Sequence, residues 1–264
     1  MGQVKIKSEK ELAGLRAACR LAAATLEQTA PLIVEGITTN EINQFVHRFT
    51  LQHGGKPAPL NYHGYPKSIC TSINEVICHG IPSKRKLKNG DIINVDITTI
   101  LDGWHGDVSA MFYVGTPSEI AKTLVETTRE CLRLAIAQVK PGARLGDIGA
   151  AIQRHAEGHG FSVVRDFVGH GIGRGFHEEP QVPHFGQAGR GLRLEKGMTF
   201  TIEPMINQGV WHMRILEDTW TAVTADGLLS AQFEHTVAVT EDGVEVLTAF
   251  ASPLLHSEVF PEGR

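Results

Sequence analysis

The stretch NGDIINVDITTILDGWHGDV, residues 89–108, decides the fold. From Ile92 to Ile100 it alternates as a strand does, with Val95, Ile97 and Thr99 on one face and Asn94, Asp96 and Thr98 on the other. Asp102-Gly103 is a favoured two-residue hairpin turn. With that turn tight, Leu101 opposes Trp104 and Asp107 faces Thr98, so Asp107 lies diagonal to Asp96 on one face of the sheet. Diagonal neighbours are about 7–8 Å apart at Cα, close enough for two short carboxylates to lean onto a shared cation.

The surroundings of this stretch occur twice. A helix-like segment runs from Ser8 to about Leu32, with Ser8 as N-cap and Glu11 three residues on. VEGITTNEI, with Thr38 or Thr39 as cap, then opens a second helix that runs to His53-Gly54. Later a helix-like segment from Pro117 to Val139 leads through KPGARLGDI into another helix that runs to His159-Gly160. Gly36 and Gly142, Glu41 and Asp147, Ile42 and Ile148, and the two His-Gly pairs all differ by 106 positions. Beyond the helices, CHGIP (78–82) echoes GHGIG (169–173), NGDIINVDIT (89–98) echoes KGMTFTIEPM (196–205), and GDVSAMFYVG (106–115) echoes FEHTVAVTEDG (233–243). His79 thereby pairs with His170, Asp96 with Glu203 and Asp107 with Glu234. A repeat this long implies two similar α/β halves, about 8–116 and 117–250, related by a pseudo-twofold.

The repeat gives the carboxylates their meaning. Glu203 precedes Pro204, which biases it to extended backbone, and Glu234 opens the strand-like run EHTVAVT. A single Asp on a strand is usually solvated or caps a turn, and Asp91 and Asp102 read that way. Four repeat-matched acids with an imidazole are instead a reasonable cage for two divalent ions. Most of the 13 histidines, His47, His155, His212 and His256 among them, read as surface residues. His79, His170 and His177 stand apart because glycines flank them. VGHGIGRGFHEEP (168–180) fails as a phosphate loop, since a third glycine of G-x-G-x-x-G is missing in either frame.

Composition limits the alternatives. The 264 residues are 42% hydrophobic with net charge −4, an ordinary soluble balance with no general pull toward DNA or anionic membrane. No apolar run approaches the ~18 residues of a membrane span. The opening MGQVKIKSEKEL is too charged for a secretory signal, and Ile6 breaks the myristoylation pattern. Cys19, Cys70, Cys78 and Cys131 form neither a C-x-x-C nor a disulfide framework, which points to the reducing cytoplasm and to oxygen and imidazole as metal donors.

HGIP, NVDIT, HGD, GHGIGRGFHEEP, TFTIEPM and QFEHT, in this order and over almost the whole chain, resemble type I methionine aminopeptidase. YHGYPKSICTSINEVICHGIP (62–82) is similar to that family's substrate-pocket segment. The resemblance implies a pita-bread fold, an antiparallel sheet with covering helices in a single catalytic domain over 1–264. It implies removal of the initiator methionine, ahead of a small second residue, from nascent polypeptide N-termini.

Carried over by motif, Asp96 would chelate one of two divalent ions, Asp107 and Glu234 would bridge both, and His170 and Glu203 would complete the other. The ions, manganese, iron, cobalt, nickel or zinc, would activate a water, with Glu203 shuttling its proton. His177 would hydrogen-bond the substrate carbonyl or oxyanion, and His79 the scissile nitrogen. The methionine pocket would comprise Tyr62, Tyr65, Cys70, Phe176 and Trp220, with His63 beside them; without the resemblance these aromatics read as core. Pro59 stands where some bacterial relatives carry cysteine, which bears on the pocket rim.

Two rivals share the fold: a proline-specific aminopeptidase, which would carry a further N-terminal domain, and a binding protein that has lost its metals. The run SKRKLKNG (83–90) reads first as a solvated loop. The sharper alternative is that Lys84, Arg85, Lys86 and Lys88 contact ribosomal RNA. Nothing in the sequence demands more than a monomer.

Overall fold

The computed structural model describes residues 3–251, so His256 lies outside the described residues. Each helix starts at a local signal. Helix α1 (Glu9–Thr29) is capped by Ser8 in a reciprocal box with Glu11, and α2 (Thr39–Gln52) by Thr38 with Glu41. The first helix was expected to reach Leu32; it gives way to a 3-10 turn at Ala30–Leu32 because Pro31 has no N–H to continue the ladder. Helix α3 (Glu119–Ile136) is shorter at both ends than 117–139, starting behind the Ser118 cap and unwinding before Pro141. Helix α4 (Leu145–Gly158) opens with the Arg144 N–H donating to Asp147 at 2.7 Å.

Among the described residues, the sheet that positions the site has nine strands, every pair antiparallel. Its path runs Lys56–Pro57, Ile92–Leu101, Trp104–Tyr113, Glu234–Val239, Thr199–Ile202, Gly169–Gly171, Glu178–Val182, with Cys70–Ile73 and Val244–Val246 pairing off it. The central hairpin has the expected register, Leu101 opposite Trp104 and Thr98 opposite Asp107. Asp102 (φ +49°) and Gly103 (φ +79°) both take the left-handed backbone that a two-residue turn of this hand needs.

Glu234–Val239 pairs on one side with Trp104–Tyr113 and on the other with Thr199–Ile202, so one sheet continues from the first half of the chain into the second. Both faces of the central hairpin are covered. Val95, Ile97 and Val108 join the main core with Leu26, Leu124 and Ile148, while the Asp96 face looks toward the site. Matching local geometry recurs at the repeat positions: Gly36 and Gly142 have φ of +89° and +88°, and the rings of His53 and His159 each bond the carbonyl four residues back.

The surface reading of the histidines holds for His212 and only in part for His47 and His155, while two histidines it did not name are fully buried. His184 and His235 are buried, at 0% and 1% exposure. His47 and His155 are half-buried, His47 against the Ser68 hydroxyl. In the basic loop, Lys84, Arg85, Lys86 and Lys88 are exposed around a buried Leu87, whose backbone bonds Ile37 and Gly36.

Candidate functional site

Strand register collects the acids. Asp96 opposes Ser109, and Ser109 opposes Glu234 on the next strand, so the two carboxylates share one row across three strands. Asp107 lies two residues along, its Oδ1 accepting from the Thr98 hydroxyl at 2.7 Å. Glu203 follows directly on Thr199–Ile202, and its Oε1 accepts from Thr201 at 2.8 Å.

His170 sits in the short strand Gly169–Gly171, its N–H donating to Thr201 Oγ1 at 3.0 Å. Its Nδ1 lies 3.0 Å from the Gly171 carbonyl, which can only accept, so Nδ1 carries the proton and Nε2 keeps a free lone pair. That Nε2 is 3.7 Å from Asp107 Oδ2 and 3.6 Å from Glu203 Oε1. Donor atoms of Asp107, His170 and Glu234 all lie within 4.8 Å of one another. The flanking glycines are required. A Cβ on Gly169 would overlap the Thr201 carbonyl, and one on Gly171 the Glu179 carbonyl.

No lysine or arginine lines this cavity among the described residues. Burial therefore pushes Asp96 up to about 7 and Glu203 up to about 8. Asp107 and Glu234 are driven well above the carboxylate range, by burial first, then Asp107 by the charge of Asp96 and Glu234 by that of Asp107. The same desolvation pushes His170 down to about 3. A bare cluster of this kind takes up protons; divalent cations remove the need for them. The donor set is carboxylate oxygen plus neutral imidazole. Cys70 and Cys78 are held as thiols by burial, which fits manganese, iron, cobalt, nickel or zinc rather than a thiolate site.

Above the acids is a cavity of about 500 Å³. Tyr62, Tyr65, Cys70, Phe176 and Trp220 line it, as does Pro59. Tyr65 meets Trp220 edge-on at 5.1 Å and donates its hydroxyl to the Ile69 carbonyl at 2.9 Å. His63 is not part of the lining. Left-handed backbone at Asn61 (φ +66°) and at His63 itself (φ +47°) turns the chain so that Tyr62 faces the cavity while His63 is exposed.

Both remaining histidines are at the cavity. His79 holds a positive φ of +57°, unusual for a side chain of its size, with its ring edge against Phe167 at 5.3 Å. His177 stacks on Phe176 at 4.2 Å, and its Nδ1 is 2.7 Å from the Tyr62 hydroxyl. Burial, then the neighbouring histidines, push His177 down to about 4, so the ring is neutral. With the phenol as donor in this contact, the proton of His177 sits on Nε2.

Some residues at the site were not singled out from the sequence. Met205 and Phe167 line the cavity; Met205 lies inside the TFTIEPM motif and could have been found there. His184 receives the Glu203 N–H on Nε2 at 3.2 Å, and no motif or repeat match marks it.

Three comparisons bear on this geometry. Residues 13–241 match the profile of metallopeptidase family M24. The chain is 63% identical over 246 residues to methionine aminopeptidase A of Synechocystis sp., covering 93% of this chain and 97% of the other. The crystal structure of methionine aminopeptidase from Rickettsia prowazekii superposes with a TM-score of 0.92 at 52% identity, over 93% of this chain and all (100%) of that one. The Thermotoga maritima methionine aminopeptidase structure gives 0.91 at 43% identity, over 93% and 99%.

Proposed function

The chain belongs to metallopeptidase family M24, within it to the methionine aminopeptidases of type I with their pita-bread fold, and from that premise we propose how its residues divide the work. The substrates are nascent polypeptides and peptides that begin with methionine followed by a small residue, processed in the cytoplasm. The acidic floor would hold two divalent ions through the side chains of Asp96, Asp107, His170, Glu203 and Glu234. When bound, such ions lower the pKa of a water toward neutrality and polarise the scissile carbonyl.

The protein's own groups do the rest. The cavity between Tyr65, Cys70, Phe176 and Trp220 takes the methionine side chain, where a thioether gains from aromatic edges. His177 Nε2–H faces the carbonyl oxygen and strengthens its bond as negative charge develops there. Tyr62 keeps that proton on Nε2 by donating to Nδ1. His79 holds the scissile nitrogen. Glu203, whose Oε1 is braced by Thr201, takes the proton from the attacking water and passes it to the departing amine. The observation that carries this reading is that Asp107, His170 and Glu234 offer donor atoms within 4.8 Å of one another while Asp96 and Glu203 line the same cavity.

The test is hydrolysis of a Met-Ala-Ser peptide by chelator-stripped protein as manganese is added back, with an Ala-Pro-Ala peptide in parallel. Metal-dependent release of methionine from the first alone is expected. Cleavage of the second would move the protein to the proline-specific branch, and no cleavage with any of the five metals would leave a binding protein. The four exposed cations of the 83–90 loop are the surface for ribosomal RNA. Reversing Lys84, Arg85, Lys86 and Lys88 to glutamate should abolish co-sedimentation with ribosomes and leave kcat on the free peptide unchanged.

A further inference from the structure

His177 stands on a segment, residues 172–177, that has no regular secondary structure, yet three sets of contacts tie it down. His105 holds the Gly173 carbonyl with its backbone N–H at 2.9 Å and its Nδ1 at 3.2 Å. Arg174 donates to the Asp102 carbonyl at 3.1 Å and lies 4.4 Å over the Trp104 ring. The third set comes from the far end of the chain. Lys7 Nζ meets Glu178 Oε2 at 2.7 Å, with side chains only 4% and 7% exposed. The other oxygen, Oε1, accepts the Gly175 N–H at 2.8 Å and Lys5 Nζ at 3.0 Å.

Lys7 is itself anchored. Its N–H donates to the Gly197 carbonyl at 2.8 Å, one residue before the Ser8 cap of α1. A Cβ on Gly173 would stand 2.7 Å from the Lys7 ε-carbon and 2.8 Å from its nitrogen, so a glycine leaves the room in which the lysine lies beneath the loop. A buried pair of charges costs desolvation and does little for stability. What it does provide is a fixed point: one carboxylate, adjacent in sequence to His177, tied to both α1's approach and the loop's own backbone.

We propose that Lys7 is a positioning residue for the reaction, acting through Glu178 to hold His177 Nε2 at the distance the oxyanion requires. The proposal rests on the reading that His177 contacts the substrate carbonyl. Removing the ammonium leaves Glu178 with the exposed Lys5 as its one cation; the carboxylate then turns toward solvent, releases Gly175, and lets the His177 ring drift. A misplacement of about 1 Å is enough to cost up to about 100-fold in rate.

The experiment is a double-mutant cycle on the full chain with manganese and the Met-Ala-Ser peptide. Lys7→Met, Lys7→Arg, His177→Ala and Lys7→Met/His177→Ala are compared for kcat, KM, bound manganese and thermal midpoint. Lys7→Met is expected to lower kcat about 10-fold or more with KM and metal content unchanged, Lys7→Arg to recover most of it, and Lys7→Met to add nothing in the His177→Ala background. Lys5→Met removes the exposed cation from the same carboxylate and should leave kcat within about twofold.

A loss that persists in the His177→Ala background, or that follows the thermal midpoint, overturns the proposal in favour of a structural role. Unchanged kcat in Lys7→Met overturns it outright. Unchanged kcat in His177→Ala instead overturns the reading of His177, and the two failures are therefore distinguishable. Should Lys7→Met not fold, Glu178→Gln carries the same cycle, since it too breaks the pair and loosens Gly175.

Discussion

A single proton assignment at His177 has consequences that can be measured. In the proposed division of the work Tyr62 donates to Nδ1 of a neutral ring, which puts the ring's own proton on Nε2. Tyr62→Phe removes one hydrogen bond worth about 1 kcal/mol and frees the ring to take the wrong tautomer, so kcat should fall about tenfold. KM for the peptide should stay within about twofold, because the hydroxyl makes no uniform binding contact. A larger change in KM than in kcat would show that Tyr62 acts as pocket wall instead. Tyr62 and His177 were each legible in the sequence by resemblance, yet their pairing was not. They are 115 residues apart, and only folding sets that distance.

Among the elements, the Ile92–Leu101/Trp104–Tyr113 hairpin was the most legible, because turn type fixes register and register fixes which side chains share a face. Asp-Gly at the tip was enough to put Asp107 diagonal to Asp96. The short strand Gly169–Gly171 is legible for a different reason, since its glycines are explained by carbonyls that a Cβ would strike. Gly169→Ala must push this strand away from Thr199–Ile202, and His170 with it. Manganese affinity is expected to fall about 10- to 100-fold while far-UV circular dichroism is unchanged. Retained affinity would mean the strand shifts without moving the imidazole. His184 and the Lys7–Glu178 pair escaped the sequence reading because neither belongs to a periodic pattern or a repeat. His63 was drawn into the pocket by its neighbour and excluded by its own backbone.

Stability of the whole molecule should depend on pH in opposite ways with and without metal. Burial raises Asp96 from 3.8 to about 7 and Glu203 from 4.5 to about 8, so the metal-free native state holds protons that the unfolded chain has already released. Protons bound in excess by the native state make its stability fall as pH rises, from the unfolded values up through the folded ones. The thermal midpoint of chelator-stripped protein should therefore drop between about pH 5 and about pH 8. With saturating manganese the cations take the protons' place, and the midpoint should rise over the same interval. Parallel curves would mean that the four carboxylates are not the metal donors.

The strand Glu234–Val239 joins the two halves of the sheet, and it also carries Glu234, whose carboxylate lies within 4.8 Å of donor atoms of Asp107 and His170. Asp96 and Asp107 are made early in synthesis and wait for a partner that comes more than a hundred positions later. On the proposed division of the work, closing the sheet and completing the donor set are therefore one event, since both wait on this strand lying between Trp104–Tyr113 and Thr199–Ile202.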